Sequence, residues 1–299
     1  MRIFRRLWIR FRINRLSLKD YLVNFYLRLR FQYIRLFNSK KLRHGSTIDK
    51  HGYELVFNDE FDRNSWSEDN RKWIVGEHWG MHHPNRLNVH YGEPKLLKSN
   101  TETAALFTVK HNPKTFNREN KKITIPFEVS LLSSNKTFQQ QYGRFECRMT
   151  LPKGRGVWPA FWMWGPTWPP EIDVIEAYGD RNGLDTRFQE INIHYGHDSQ
   201  NNRSNMRPWI IKVDNKKGVG KKYHEFAVEW HPNKIEFFTD GIKVFQYTNK
   251  KMLNRWFNKP ETNMWIVINN SLRQGFIDDN DVDFYSEFKV DYIRAYKFL

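Results

Sequence analysis

Three carboxylates crowd the segment Glu171-Ile-Asp-Val-Ile-Glu176. Acids alternate with aliphatic residues there as in a half-buried strand, whose successive side chains point to opposite faces. Glu171 and Asp173 share one face, and simple alternation sends Glu176 to the other. A solvated strand face accounts for the first two acids and not for the third. A one-residue β-bulge between Asp173 and Glu176 would turn the last acid onto the face of its neighbours, a re-aiming role that bulges often serve near active sites. The backbones of Glu171 and Glu176 would then stand roughly 13 Å apart, within convergence distance of two long side chains.

Such crowding has a chemical consequence. Two like charges about 4 Å apart repel by about 4 kcal/mol at a surface-like effective dielectric. At about 1.4 kcal/mol per pKa unit, full ionisation of the group near neutrality is disfavoured. One carboxyl then holds a proton beside an anionic one, giving an acid and a nucleophile from the same residue type. Hydrolysis of a glycosidic bond requires that pair. Spacing alone does not separate a retaining pair from an inverting one, and a polar strand face or a cation site would use the same residue types.

The neighbouring sequence favours a sugar. Trp158, Trp162 and Trp164 lie just upstream in "GRGVWPAFWMWG". An indole offers an apolar face to sugar C–H groups and an N–H to their hydroxyls. Trp158 and Trp162 are read as out of alternation with Trp164, which leaves cleft and core unassigned among them. Trp158, Trp162 and Trp79 are the expected sugar platforms.

The elements that must position these residues are short strands. From about residue 50, β-branched and aromatic runs such as "ALFTVKH", "YGRFECRMTL", "INIHYG" and "MWIVINNSL" alternate with turn clusters. The clearest hairpin lies between Tyr223 and Tyr247, where the strand pattern ends at Thr239 and Asp240-Gly241 is a strong turn signal. Many short strands and few helical stretches predict an all-β antiparallel sandwich. The chain of 299 residues is long enough for a sizeable core, and its 16% aromatic content suits an aromatic-lined cleft. The one cysteine, Cys147, excludes an intramolecular disulfide and reads as a small buried hydrophobe.

The net charge of +16 is unevenly placed. Residues 1–48 hold 13 Lys/Arg and one acid, Asp20, for a local net of +12, and the remaining 36 basic and 32 acidic residues leave the body at +4. This arm has neither the uninterrupted apolar core and cleavage site of a secretory signal nor the roughly 18 apolar residues of a membrane span. Ser17 with Asp20 forms a helix-start signal. Leu22, Phe25/Tyr26, Leu29, Tyr33 and Leu36/Phe37 then recur at helical spacing. A basic amphipathic helix suits a membrane surface, an anionic polymer or a partner protein, or else folds over the body. Nucleic acid is not expected, because no reading motif accompanies the charge. Two parts result: a basic, helix-forming N-terminal arm over residues 1–48 and a β domain over 49–299.

The stretch "YGRFECRMTLPKGRGVWPAFWMWG…WPPEIDVIEAYG" resembles glycoside hydrolase family 16, in the laminarinase-like subgroup with the bulged E-x-D-x-x-E signature. The resemblance continues through "LVFNDEFD", "INIHYG", "YHEFAVEWHPNKIEFFTDG", "WIVINNSL" and "VDYIRAYKF", in family order over about residues 53–299. It implies a β-jelly roll with a concave glycan cleft and a retaining double displacement. By motif, Glu171 is the nucleophile, Glu176 the acid/base and Asp173 the residue that orients and tunes them, with His194 close to the acids. No cofactor is implied for the chemistry. A structural Ca²⁺ away from the cleft is implied, with Glu60 and Asp291 at two ligand positions. The acidic run "DDNDVD" (278–283) fails as an EF-hand, since Phe284 takes the required glycine position and Val290 the bidentate glutamate position.

One departure bears on the substrate. Laminarinase-like members carry an Asn-x-Glu element where this chain has "HHPNRLNVHYG", which keeps Asn85 and lacks the Glu. Trp79, His82, His83 and Arg86 occupy the region, a set that suits an acidic or substituted glycan as well as a solvated loop. The expectation is endo-acting cleavage of a β-linked polysaccharide, first a β-1,3- or β-1,3/1,4-glucan. The alternatives are an acidic exopolysaccharide or galactan, a transglycosylase, and a non-catalytic glycan-binding or particle-associated protein on the same fold. Placement outside the cytoplasm, or on a particle or membrane, is expected.

Overall fold

A computed structural model describes residues 16–43, 52–179, 185–196, 209–215 and 219–299. Among the described residues, helix α1 (Leu18–Phe37) is followed by sixteen strands. These are β1 (Tyr53–Asp59), β2 (Ile74–Val75), β3 (Val89–Gly92), β4 (Lys95–Lys98), β5 (Thr103–Arg118), β6 (Lys121–Ser133), β7 (Gly143–Met149) and β8 (Val157–Trp164). There follow β9 (Glu171–Glu176), β10 (Phe188–His194), β11 (Trp209–Lys212), β12 (His224–His231), β13 (Lys234–Thr239) and β14 (Ile242–Tyr247). A short helix α2 (Lys250–Trp256) precedes β15 (Trp265–Leu272) and β16 (Tyr285–Phe298).

The expected all-β jelly roll is what forms. One sheet runs β11-β10-β9-β8-β15-β6 and the other β5-β16-β7-β12-β13-β14. Strand β6 belongs to both: its end pairs with β15 and its earlier residues with β5. The pairings are antiparallel except for the short β3, which lies parallel to β6. Asp240 and Gly241 take the positive φ values of a tight hairpin turn between β13 and β14, as their types predict.

Alternation sorts each strand between core and cleft. Phe161 and Met163 of β8, Ile191 and Ile193 of β10, and Ile266 and Ile268 of β15 meet Phe145, Cys147, Phe226, Val228 and Ile293 of the facing sheet in one buried cluster. The cysteine is fully buried there, as expected of a small hydrophobe.

Helix α1 closes the sandwich. The Ser17 hydroxyl accepts from the Asp20 amide at 3.0 Å, the expected start signal. The stripe read from the sequence is not the side that packs on the body. Tyr21, Asn24, Leu27, Phe31 and Ile34 are buried against the body, whereas Leu22, Tyr26, Leu29, Tyr33, Leu36 and Phe37 stay exposed. The buried stripe touches both ends of the strand order. The Asn24 side chain donates to the Gln246 carbonyl and accepts from the Gln246 amide, each at 2.8 Å, and Gln32 donates to the Lys212 carbonyl at 2.8 Å. Strands β14 and β11 would otherwise present unpaired edges, and the helix covers them. The expected boundary near residue 48 lies outside the described residues.

Candidate active site

Strand β9 carries the predicted bulge. Against β8, Ile175 pairs with Phe161 and Asp173 with Trp162, so Val174 has no register partner. Against β10, Glu176 pairs with Glu190 and Asp173 with Asn192 across the same shift. Val174 and Ile175 both enter the sandwich core, fully buried. Two consecutive core residues put Glu176 back on the face of Glu171 and Asp173. All three acids line one cleft of about 690 Å³.

Each acid has its own support. Glu171 accepts from the Trp168 indole N–H at 2.6 Å. Glu176 is buried and accepts from the Trp158 indole N–H at 2.9 Å, the Tyr178 hydroxyl and the Asn192 amide. Three donors on two oxygens fix the orientation of that carboxyl. Asp173 is bonded to His194 Nε2 at 2.9 Å.

Asp173 and His194 hold a proton between them. Burial raises Asp173 well above the usual carboxylate range, and the charges of Glu171 and Glu176 raise it further against the pull of His194. Burial alone would lower His194, but Glu171, the Asp173 charge and hydrogen bond, and Glu176 overcome it and push the ring up to about 10. The carboxyl that crowding lifts is therefore the middle one.

The cleft walls are aromatic. On β8, Trp158, Trp162 and Trp164 alternate with the core residues Phe161 and Met163, and all three line the cleft. The sequence reading left them unassigned, yet all three positions are even-numbered and share a parity; that signal was available. Trp162 donates to Asn269 Oδ1 at 2.8 Å and meets Trp164 edge-on, and Trp79 packs edge-on against Trp164. Trp158 has another task than the expected platform. Tyr178 stacks on its ring at 5.1 Å, the Arg86 guanidinium lies 4.3 Å from its centroid, and its N–H is spent on Glu176. Little of that ring is left for a sugar.

Asn85 and Arg86 line the cleft as expected. His83 is not a cation near neutrality, because burial and then the charge of Arg86 push it down to about 4. Arg86 has no carboxylate within ion-pair distance among the described residues. Sequence reasoning missed Trp168, Tyr178, Asn192 and Asn269. Parity finds Asn192 two residues before His194 and Asn269 on the strand beside β8, whereas Trp168 and Tyr178 flank β9 in loops and carry no periodic signal.

Glu171, Asp173 and His194 are near enough for their ligating atoms to share an ion, but His194 Nε2 is engaged by Asp173. The implied calcium ligands fit poorly. Both oxygens of Glu60 accept from Arg294, at 2.7 and 2.8 Å, and Asp291 accepts from Arg148 at 2.6 Å. Each carboxylate already meets a guanidinium where a cation would have to sit.

A sequence model for glycosyl hydrolases family 16 matches residues 84–294. The chain is similar to a β-glucanase of Rhodothermus marinus, 27% identical over 274 residues that cover 83% of this chain and 86% of that protein. It is similar to the endo-1,3-1,4-β-glycanase ExsH of Rhizobium meliloti (strain 1021), 28% identical over 182 residues, 57% of this chain; the match spans only 33% of that longer protein. Its fold is that of the catalytic domain of an endo-1,3-β-glucanase (laminarinase) from Thermotoga petrophila RKU-1, with a TM-score of 0.64, 21% identity, and coverage of 82% of this chain and 98% of that one. With most of its length matched, and with the bulged acidic strand in an aromatic cleft, the chain belongs to glycoside hydrolase family 16.

Proposed function

We propose that the chain is an endo-acting retaining glycoside hydrolase that cuts a β-linked polysaccharide, with a β-1,3- or mixed-linkage β-1,3/1,4-glucan as its first substrate class. The bulge at Val174 carries this reading, because it brings Glu176 to the face of Glu171 and Asp173. The activities named for the similar proteins support the substrate class.

The Glu171 carboxylate attacks the anomeric carbon while Glu176 gives its proton to the departing glycosidic oxygen, leaving a glycosyl ester on Glu171. Water then attacks the same carbon. Glu176 takes the water's proton, and the Glu171–sugar bond breaks. The proton shared by Asp173 and His194 reduces the negative charge beside the nucleophile, so that the anionic Glu171 does not face a second full anion at Asp173. Trp79, Trp162, Trp164 and Trp168 offer ring surface to sugars on either side of the cut. Where an acceptor sugar outcompetes water, the same residues transfer the glycosyl group.

A second reading, an acidic or substituted glycan, is favoured by Arg86, a cation in the cleft with no carboxylate partner among the described residues. One panel decides among these readings. Wild type and Glu171→Ala are incubated with neutral β-glucans, galactans and acidic exopolysaccharides, and reducing ends are measured. Release from neutral glucans that vanishes in the variant supports the proposal. Release confined to acidic glycans moves the substrate to the second reading. Binding without any release makes the protein a non-catalytic glycan binder.

A further inference from the structure

The exposed side of α1 is a second apolar face that no described residue covers. Leu18, Leu22, Tyr26, Leu29, Tyr33, Leu36 and Phe37 are each 53 to 75% exposed. At 3.6 residues per turn these seven fall within an arc of about 100°. The packed residues Tyr21, Asn24, Leu27, Phe31 and Ile34 occupy the opposite side, so the stripe cannot turn inward without stripping the helix from the sheet edges. Scattered exposed leucines need no explanation, but a continuous stripe along 20 residues of helix does.

Charge identifies the occupant. Lys19 and Arg30 stand exposed along one border of the stripe, and Lys40, Lys41 and Arg43 stand exposed just past its end. The segment's one acid, Asp20, is turned to the body, where it accepts from the Thr248 hydroxyl at 2.6 Å. Two copies of this chain packed stripe to stripe would bring like-charged borders together. A soluble polyanion would satisfy the cations and leave the leucines in water. An anionic lipid surface satisfies both: acyl chains take Leu22, Leu29 and Leu36, headgroups take the cations, and Tyr26 and Tyr33 sit at the boundary. No helix among the described residues is long and apolar enough to cross a membrane, which suits a helix that lies on one.

We propose that α1 docks the protein in plane on an anionic lipid bilayer through this stripe, keeping the glycan cleft tethered at a membrane surface. The inference does not rest on the hydrolase reading and is tested apart from it. The full chain is floated with vesicles of phosphatidylcholine alone or of equimolar phosphatidylcholine and phosphatidylglycerol. The same is done with the triple variant Leu22→Gln, Leu29→Gln, Leu36→Gln and with Lys19→Gln, Arg30→Gln; unchanged Tm shows that each variant is folded.

Wild type should float with the anionic vesicles, and the triple variant should lose at least about tenfold in bound fraction. The charge variant should lose its preference for anionic over neutral vesicles. Failure of wild type to float, or equal flotation of the triple variant, overturns the proposal. So does binding to a soluble polyanion that equals vesicle binding and survives the leucine changes, and so does a wild-type dimer that the triple variant abolishes while neither form floats.

Discussion

The indole N–H of Trp158 donates to Glu176 Oε1 at 2.9 Å while Arg86 lies 4.3 Å from the centroid of the same ring. Trp158 thus ties the proposed acid/base to Arg86, a cleft cation with no carboxylate partner among the described residues, and its role is to position. Trp158→Phe keeps a ring for Arg86 and Tyr178 and removes only the donor. A hydrogen bond to a charged group contributes about 1.5–3 kcal/mol, so kcat should fall roughly 10- to 100-fold. KM should change little. A rise in KM with kcat intact would return Trp158 to the role of sugar platform.

The proton held between Asp173 and His194 links stability to pH. Both groups are raised in the folded chain, His194 from 6.5 to about 10, so the folded state keeps a proton that the unfolded chain has released. The stabilisation from His194 is fully present below about pH 6.5 and is lost as pH rises towards 10. Wild-type Tm should decline across that window, and the double variant Asp173→Asn, His194→Gln should show a flatter profile. Equal slopes in the two proteins would contradict the shared proton.

Asn24 replaces a missing strand neighbour by pairing with both backbone groups of Gln246. Asn24→Ala leaves a donor and an acceptor of a buried edge without partners. Each omission costs about 1–3 kcal/mol, so denaturant unfolding should show a loss of about 2–4 kcal/mol. A loss under about 0.5 kcal/mol would mean that water replaces the side chain and that the helix does not seal this edge.

Glu60 and Asp291 are held by Arg294 and Arg148. A site already neutralised by guanidinium gains little from a divalent cation. Calcium, or a chelator, should move Tm by less than about 1 °C. A rise of several degrees on adding calcium would show that the ion displaces the arginines.

What the sequence made legible, and what it did not, follows from the range of the interactions. The bulge could be read because alternation is local: Glu176 broke a two-residue period that Glu171 and Asp173 obeyed. The hairpin at Asp240-Gly241 was equally local. Helix α1 was foreseen in its extent and start, but which side packs was not legible, because both of its sides are apolar and only the partner surfaces on β11 and β14 decide between them. Trp158 was assigned to sugar because its type permits it, and only the folded chain brings Arg86 and Tyr178 onto its ring. Glu60 and Asp291 matched positions of a metal motif, but each arginine that holds them comes from another strand, Arg294 of β16 for Glu60 and Arg148 of β7 for Asp291. Parity of the β8 tryptophans was in plain view and was misread.

The central claim is that Glu171 and Glu176 cut a β-linked glycan with retention. The most direct measurement is proton NMR of the first products released from a β-1,3- or mixed-linkage glucan, before mutarotation scrambles the anomers. The new reducing ends should appear first as the β-anomer and shift to the equilibrium mixture later. First appearance of the α-anomer, from wild-type protein whose Glu171→Ala form is inactive, would contradict it.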